Sequence, residues 1–347
     1  MCTVYLTGAP DDEVARGSAS DEVIFLGYKS KAVRGLKLEA IRRLRKIAQG
    51  RDFELCIAHR FKPIYLCLLA TRLPVVGVHH AFGVYRRPMR RWFINRFRSR
   101  LLLLGVSDAV RDEIRASLPA WNPACIETFY NHLDVDAARS ELVSRDEARS
   151  YLRLPKEAWV IGNVGRLHPD KDQRTLIQGF ADALPMLRAD CLLAIGGQGR
   201  LEDELKELVK KLGLDDRVCF LGQVKDARRY FRAFDVFALT SVREPFGMVL
   251  LEAMAANVPI ISSESGGAPE VVSEVGALFP LGDTGALAEC LRAMSQATEL
   301  EVAGMRHAMQ HRLVAQFSDD ASRPLFFALL RASGLTSQHR CFGALVL

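Results

Sequence analysis

The sequence predicts an α/β fold with two doubly wound parallel sheets in tandem. Short apolar, often β-branched runs alternate with longer segments of helical periodicity along most of the 347 residues, and this alternation is typical of βαβ units. It breaks over residues 131–155, a polar segment with one short helix predicted at 145–154, and then starts again. We therefore expect an N-terminal domain over 1–155, a C-terminal domain over 156–316, and a final helix and tail over 317–347.

The apolar runs and periodic segments predict the elements in order. In the first half, strands are predicted at 2–8, 22–28, 53–58, 75–80, 101–107 and 126–131, and helices at 31–48, 61–72, 87–98 and 108–116. In the second half, strands are predicted at 159–164, 191–195, 217–221, 236–240, 259–263 and 277–279, and helices at 172–187, 201–212, 227–233, 246–255, 268–272 and 285–296. Helices at 299–316 and 323–332 follow, and the tail at 333–347 has no predicted role. Ligands are expected at the carboxyl ends of the strands.

The composition is that of a soluble globular protein, with 49% hydrophobic and 25% charged residues. The eight cysteines stand far apart, with no C-x-x-C pair. This spacing argues against a disulfide framework and a structural zinc site, and it favours a reducing, cytosolic compartment. The most apolar long window, 63–85, is interrupted by arginine, proline and histidine, so no transmembrane helix is expected.

The net charge of +6 is unevenly distributed. Residues 1–155 hold 26 lysines and arginines against 17 acids, a balance of +9, whereas residues 156–347 hold 21 against 24, a balance of −3. The first half is therefore expected to meet an anionic partner. Nucleic acid, an acidic membrane surface and an anionic acceptor all fit this charge.

One segment combines two carboxylates with a predicted helix start. Residues 243–252 read REPFGMVLLE, and the helix is expected to begin near Pro245 and Gly247. Amides at a helix N-terminus favour a phosphate, and Glu244 and Glu252 could accept hydrogen bonds from sugar hydroxyls on either side of it. The pattern suits a sugar nucleotide, but an acidic loop beside a solvated helical glutamate has the same spacing.

A second segment adds two cations. Residues 164–171, VGRLHPDK, also follow a predicted strand. Gly165 permits a close backbone approach, and Arg166 and Lys171 could neutralise a diphosphate, including one that departs as a leaving group. Either cation alone would be typical of a surface charge, whereas the two together at the end of the first strand of a Rossmann-like half favour a functional site.

These two segments and five others resemble the retaining GT-B glycosyltransferases of the family-4 type. The matches lie in the family's order: GNVGRL at 162–167 with Lys171, IGGQG at 195–199, DRVCFLG at 216–222, AFDVF at 233–237, the E-x7-E segment, LEAMA at 251–255 and GGAPE at 266–270. The resemblance implies two Rossmann-like domains that face a central cleft. It also implies transfer of a hexose, with retention at the anomeric carbon, from a nucleotide diphosphate sugar, expected to be a UDP-sugar, to a glycan or glycolipid such as the lipopolysaccharide core. No metal and no cofactor are expected.

The resemblance further implies roles for single residues. The residues implied in donor binding are Gly165, Arg166, Lys171, Phe220, Gly222, Glu244, Phe246, Gly247, Met248 and Glu252. Within this set the two cations would bind the diphosphate, the amides of 246–248 would contact phosphate, Glu244 would hold the transferred sugar and Glu252 the ribose. The stretch 220–223 would lie near the nucleobase. Pro245 and Asp172 stand where the family commonly has glycine, and each could change the sugar preference.

The first half resembles the family less sharply, at residues 107–113 and 129–134, where His132 replaces the usual glycine. Residues 1–8 resemble the strand that follows the family's opening strand, Gly-rich loop and helix, so those opening elements are expected to be missing. His79 and His80 end a predicted strand, where a neutral imidazole could accept a hydrogen bond from a hydroxyl. His80 is the favoured candidate, and a packed histidine is the alternative. The candidate catalytic residues are Glu244, His80, Arg166 and Lys171.

Residues 86–100 hold seven arginines and no acid. Met89, Phe93 and Phe97 recur every four residues with Trp92 beside them, as in helices that lie on anionic lipid. A core-facing aromatic stripe with a solvated basic face is the alternative. The residues expected to contact a membrane or an anionic acceptor are Arg86, Arg87, Arg90, Arg91, Trp92 and Arg96.

The expected partners are a nucleotide sugar, a glycan or glycolipid acceptor and an anionic membrane surface. The expected location is cytoplasmic and peripheral, on the inner face of the cytoplasmic membrane. Nucleic acid is not expected, because its binding would leave Glu244 and Glu252 unexplained. Two alternatives stay open: a sugar-nucleotide epimerase of the same fold, and a degenerate, non-catalytic module that holds glycolipid.

Overall fold

The computed structural model describes residues 1–29, 35, 37–335 and 343–347, which form two compact units. Unit 1 comprises Met1–Phe129 with Pro324–Leu347, and unit 2 comprises Tyr130–Arg323. Each unit is built on one parallel sheet whose strands alternate with helices along the chain. The predicted α/β class with two parallel sheets is therefore confirmed.

Unit 1 contains a seven-stranded sheet with the order β2-β1-β13-β3-β4-β5-β6. Its strands are β1 (Cys2–Thr7), β2 (Glu22–Tyr28), β3 (Leu55–His59), β4 (Val75–His79), β5 (Leu101–Gly105), β6 (Ile126–Thr128) and β13 (Ala344–Val346). Its helices are α1 (Asp12–Gly17), α2 (Leu38–Ala48), α3 (Phe61–Ala70), α4 (Pro88–Asn95) and α5 (Asp108–Ser117). Strands β4 and β5 are buried along their whole length, as continuous apolar runs in parallel sheets usually are.

Unit 2 contains a six-stranded sheet with the order β12-β11-β10-β7-β8-β9. Its strands are β7 (Val160–Val164), β8 (Leu192–Gly196), β9 (Val218–Gly222), β10 (Val236–Leu239), β11 (Ile260–Ser263) and β12 (Ala277–Phe279). Its helices are α6 (Val135–Ser140), α7 (Arg145–Leu152), α8 (Gln173–Ala183), α9 (Glu202–Lys211), α10 (Met248–Ala255), α11 (Ala268–Val272), α12 (Thr284–Gln296) and α13 (Glu299–Phe317). Helix α14 (Asp319–Ala332) begins in this unit and ends in unit 1.

The boundary between the units differs from the predicted one at residue 155, because the connecting segment packs into unit 2. Arg149 of α7 is fully buried, and its guanidinium donates to the carbonyl of Ala233 at 3.0 Å and to that of Ala158 at 2.7 Å. The same guanidinium pairs with Asp235 at 2.8 Å. A buried guanidinium needs these partners, and they tie residues 130–155 to unit 2.

The tail has a structural role that the sequence did not predict. Residues Ala344–Val346 form β13, which lies in parallel between β1 and β3. A three-residue run is too short to show a strand periodicity, and its role depends on partners far away in the chain. A second feature that the sequence did not predict lies before the tail, since the chain returns to unit 1 at Pro324, within α14.

The remaining differences are local. Helices α1 and α6 are each six residues long and were not predicted, and the segment Ala227–Ala233 is a 3-10 helix rather than an α-helix. The start of the predicted helix at 31–48 falls on residues 31–34 and 36, which lie outside the described residues. In the described part of the chain, no helix is long and apolar enough to cross a membrane.

Candidate active site

Two loops of unit 2 meet where the strand order of its sheet reverses. The chain places β8 and β9 on one side of β7, and β10, β11 and β12 on the other side. The loop after β7 contains Arg166 and Lys171, and the loop after β10 contains Glu244. Because β7 and β10 are adjacent and parallel, these loops leave the sheet side by side at its carboxyl edge, which is where open α/β sheets bind ligands.

A glycine-rich loop after β8 packs against the loop after β7. The amide of Gly165 donates to the carbonyl of Gly196 at 2.9 Å, and that of Gly197 donates to the carbonyl of Gly222 at 2.7 Å. Gly197 has φ +134°, and a Cβ there would lie 1.9 Å from the Gly165 carbonyl oxygen. Only glycine fits this position, so the backbones of the two loops stay in direct contact at the edge of the sheet.

Lys171 and Glu244 form an ion pair at this edge. The Lys171 Nζ lies 2.6 Å from Glu244 Oε2, although the residues are 73 positions apart in sequence. The Ser241 hydroxyl donates to the same oxygen at 3.1 Å. Glu244 is only 7% exposed, so the ammonium stabilises a carboxylate that is largely removed from water. Among the described residues, Glu244 Oε1 has no partner and can accept a further hydrogen bond.

Arg166 lies in the same loop but does not point to this ion pair. Its side chain is 71% exposed, and its guanidinium pairs with Asp170 at 3.2 Å. Asp170 also contacts His168 Nδ1 at 2.5 Å. The structure therefore brings Lys171 and Glu244 together, as predicted, but it directs the second predicted cation to a neighbouring aspartate.

The start of α10 provides backbone amides next to Glu244. Gly247 is the N-cap residue, with φ +100°, and a Cβ at this position would lie 2.9 Å from the Leu250 side chain. Because glycine caps no amide with a side chain, the helix begins with main-chain donors and a dipole that favour an anion. Phe246 is buried, with its ring 5.7 Å from that of Phe317, which fixes the entry of the chain into α10. Met248, the first residue of the helix, is exposed.

Glu252 lies in the second turn of α10. Burial raises the pKa of its carboxyl group to about 7, and the positive charge of Arg228 opposes this rise. Glu252 is therefore divided between its protonated and ionised forms near neutral pH, and its charge state is sensitive to a ligand placed beside it.

Phe220 and Gly222, which belong to the stretch 220–223 predicted near a nucleobase, have different surroundings. Gly222 has φ +65° and accepts a hydrogen bond from the glycine-rich loop. The ring of Phe220 packs against the hydrophobic core of unit 2, with the Lys206 ammonium 5.8 Å from the ring centroid. Gly222 is thus joined to the glycine loops, and the half-buried ring of Phe220 packs on the core with part of its surface left exposed.

Two hydroxyls that the sequence did not single out belong to this site. Thr240 Oγ1 lies 3.0 Å from the Lys171 carbonyl and 2.9 Å from that of Asp172, and Ser241 contacts Glu244. Thr240 and Ser241 stand only four and three residues before Glu244, directly after β10, and this closeness in sequence is the one signal that could have pointed to them.

His80 lies in unit 1 and is paired with a second histidine. Its Nε2 is 2.9 Å from Nδ1 of His59, and the two rings stack with centroids 5.2 Å apart. Burial, followed by the neighbouring His59, lowers the pKa of His80 to about 4, so the imidazole is neutral at pH 7. His79 is fully buried against Tyr85, 2.9 Å from its hydroxyl. The described residues contain no group of three or more metal-ligand side chains of the His, Cys, Asp or Glu type.

The arginine-rich segment of unit 1 has an inner and an outer face. Phe93 packs inward against Tyr65, with ring centroids 4.8 Å apart, whereas Met89 and Trp92 are 73% and 66% exposed. Arg90 donates to the Val84 carbonyl at 3.1 Å and therefore packs against the protein instead of joining the exposed surface. The exposed arginines of the segment are Arg86, Arg87, Arg96 and Arg98, and Arg91 is half-buried.

Two family models match the chain in succession. Residues 2–137 match Glycosyltransferase Family 4, and residues 144–309 match Glycosyl transferases group 1. The relatives include the lipopolysaccharide core biosynthesis glycosyltransferase LpsE of Rhizobium meliloti, 32% identical over 184 residues, which cover 52% of each chain. Another is the N-acetyl-alpha-D-glucosaminyl L-malate synthase of Bacillus anthracis, 32% identical over 47% of this chain and 42% of that protein. The chain spans about half the length of the curated relatives it matches.

Solved structures match nearly the whole chain. Anabaena HepE in complex with UDP has a TM-score of 0.77 at 20% identity and covers 95% of this chain and 99% of its own. A glycosyltransferase from Rickettsia africae has a TM-score of 0.80 at 15% identity, covering 95% of this chain and 89% of its own. With both halves matched by consecutive glycosyltransferase models and both sheets matched by these structures, the chain belongs to the group 1, family-4-type glycosyltransferases of the GT-B fold.

Proposed function

We propose that the protein transfers a hexose from a nucleotide diphosphate sugar, with UDP as the favoured nucleotide, to a hydroxyl of a glycan or glycolipid. The observation that carries this proposal is the Lys171–Glu244 ion pair at the carboxyl edge of the unit 2 sheet, between the glycine loops and the start of α10. One similar structure, Anabaena HepE, was solved with UDP-glucose, which supports the choice of donor.

In this proposal the diphosphate lies against the amides of 246–248 and the Lys171 ammonium. An ammonium has three donors, and Glu244 uses one of them, so two can bind phosphate oxygens. The charge that builds on the departing diphosphate is stabilised by this ammonium and by the dipole of α10. No bound metal is needed for this role, because fixed protein charges supply the stabilisation.

Glu244 holds the transferred sugar. Its Oε2 is occupied by Lys171 and Ser241, and Oε1 accepts a hydrogen bond from a sugar hydroxyl. One carboxylate thus connects the sugar to the cation that binds the diphosphate. This connection orients the anomeric carbon relative to the leaving group, and we propose that transfer proceeds with retention at that carbon.

Arg166 joins the site only after it leaves Asp170. An ion pair between side chains exposed to this degree contributes about 0 to 1 kcal/mol, so a diphosphate can replace the aspartate as its partner. In its ionised form, the Glu252 carboxylate accepts a hydrogen bond from a ribose hydroxyl.

The direct test measures release of the nucleoside diphosphate from UDP-, GDP- and ADP-sugars, with and without a lipopolysaccharide-core acceptor. We expect release from one donor that depends on acceptor. Conversion of the sugar without an acceptor would indicate an epimerase instead, and nucleotide binding without release with any acceptor would indicate a glycolipid-binding module. The anomeric configuration of the product, read by NMR, tests retention.

We also propose that α4 brings the enzyme to anionic lipid on the inner face of the cytoplasmic membrane. Met89 and Trp92 supply exposed apolar groups, and Arg87 and Arg96 supply charge next to them. Each arginine near an anionic surface contributes about 1 kcal/mol to binding. The name of the related LpsE, a lipopolysaccharide core enzyme, supports an acceptor that is itself lipid-linked.

This surface is tested by sedimentation with vesicles of phosphatidylglycerol or of phosphatidylcholine. The wild type is expected to bind only the anionic vesicles, and R87A/R96A to lose most of this binding. The matched control is R16A/R42A, which removes two exposed arginines of unit 1 outside the segment. Equal binding by both double variants would contradict the proposed surface.

A further inference from the structure

We propose that Thr240 is a positioning residue for Lys171, holding the main chain from which the ammonium reaches the diphosphate. This inference rests on the proposed donor site and adds a residue to which no role has been given there. Thr240 follows β10 directly and is 1% exposed. Its hydroxyl proton is shared between the carbonyls of Lys171 and Asp172, at 3.0 and 2.9 Å.

The main chain that Thr240 holds has an unfavourable conformation. Asp172 has φ +45°, in the left-handed region that residues with a Cβ seldom adopt. Such a residue persists only when its surroundings fix it. The Asp172 side chain caps α8 by accepting from the Thr175 amide at 3.3 Å, and the Thr240 hydroxyl holds the same residue through its carbonyl.

Further contacts join the loop after β10, residues 240–244, to the end of the loop after β7, residues 170–172. The Val242 amide donates to the Asp170 carbonyl at 3.0 Å, and the Ser241 hydroxyl contacts the carboxylate that pairs with Lys171. Residues 240–244 therefore hold residues 170–172 at the main chain and at the side chain. Of these contacts, the Thr240 hydroxyl acts on the carbonyl of Lys171 itself, so its loss loosens the base of that side chain, which keeps the hydrogen bond from the Lys171 amide to the His168 carbonyl at 2.9 Å.

Three variants of Thr240 distinguish an effect of its hydroxyl group from an effect of its side-chain packing. Thr240→Val keeps the shape and removes the hydroxyl, Thr240→Ser keeps the hydroxyl, and Thr240→Ala replaces the valine variant if that protein does not fold. The matched control is Ser262→Ala, which removes a buried hydroxyl that contacts only the Ser263 carbonyl of its own strand, at 3.2 Å, among the described residues.

Two readouts test the proposal, and the first needs no donor. In amide hydrogen exchange, T240V is expected to speed exchange across 171–175, while T240S and S262A leave this segment at the wild-type rate. Unchanged exchange in T240V, or an equal increase in S262A, would overturn the positioning role.

The second readout is UDP affinity by calorimetry. T240V is expected to weaken UDP binding by about three- to tenfold, as the loss of one hydrogen bond allows, and T240S to restore it. In a Lys171→Met background, T240V is expected to have no further effect, because the threonine acts through that lysine. A full additional effect in that background would show a general packing role instead. If the wild type binds none of UDP, GDP and ADP, the proposed function fails, while the exchange experiment still decides the role of Thr240.

Discussion

Replacing Lys171 by methionine is expected to destabilise unit 2 as well as weaken donor binding. The substitution keeps the aliphatic stem of the side chain and removes the ammonium that lies 2.6 Å from Glu244. Glu244 keeps its hydrogen bond from Ser241, but its largely buried charge loses the cation that compensates it. Breaking a buried pair costs about 3 to 5 kcal/mol, and because the Lys171 side chain retains 23% exposure, we expect about 3 kcal/mol at the lower end of that range.

The assay uses urea unfolding followed by the fluorescence of Trp159, which is buried in the core of unit 2. A background with Trp92→Phe and Trp121→Phe makes it the single tryptophan of the three in the chain. With a denaturant slope of about 1 to 3 kcal/mol per M of urea, a loss of about 3 kcal/mol lowers the urea midpoint by about 1 to 3 M. The control is Lys225→Met, an exposed lysine of the same unit, which should change stability by less than about 0.5 kcal/mol.

The double variant decides whether an unpaired charge is the cause. Adding Glu244→Gln to Lys171→Met removes the uncompensated carboxylate, so the double variant is expected to be more stable than the single lysine variant. If the single variant unfolds like the control, or if the double variant is the less stable of the two, the ion pair does not have the role assigned to it.

Three further substitutions test other parts of the structure. Gly197→Ala should cost at least about 1 to 3 kcal/mol through backbone strain and abolish UDP binding, whereas Gly304→Ala, in an open helical position, should be neutral or stabilising in the same urea titration. Because the pKa of Glu252 is raised to about 7, the folded state holds this proton more tightly than the unfolded state does. The free energy of unfolding should therefore fall as pH rises from about 4.5 to 7. Glu252→Gln should remove this fall, which is measured by comparing urea unfolding at pH 5 and at pH 8. Arg149→Met should cost about 3 to 5 kcal/mol, against less than about 1 kcal/mol for Arg145→Met, its more exposed neighbour, by calorimetry.

The sequence was sufficient to predict the two parallel sheets and to place Lys171 and Glu244 in loops that follow strands of the C-terminal half. Strands such as β4 and β5 are continuous apolar runs, and their burial on both faces produces that pattern. Lys171 and Glu244 each follow a strand, so a parallel sheet places both at one edge, and their contact follows once β7 and β10 are neighbours.

Other features depend on contacts that no local pattern records. In the sequence, Arg149 is an ordinary charged residue of a polar linker, and only the structure shows that its guanidinium is surrounded by carbonyl oxygens. The role of β13 depends on β1 and β3, and that of Thr240 on a loop about 70 residues earlier in the chain. Likewise, the periodicity of the arginine-rich segment gave no means to tell that Arg90 packs inward while Arg96 faces solvent.

The most direct test of the central claim is calorimetric titration of UDP, GDP and ADP into the wild type and into the Lys171→Met and Lys225→Met variants. We expect one of the three nucleotides to bind the wild type and Lys225→Met equally, and to bind Lys171→Met at least about tenfold more weakly. Equal affinity in all three proteins would contradict the claim that Lys171, paired with Glu244, holds the donor diphosphate.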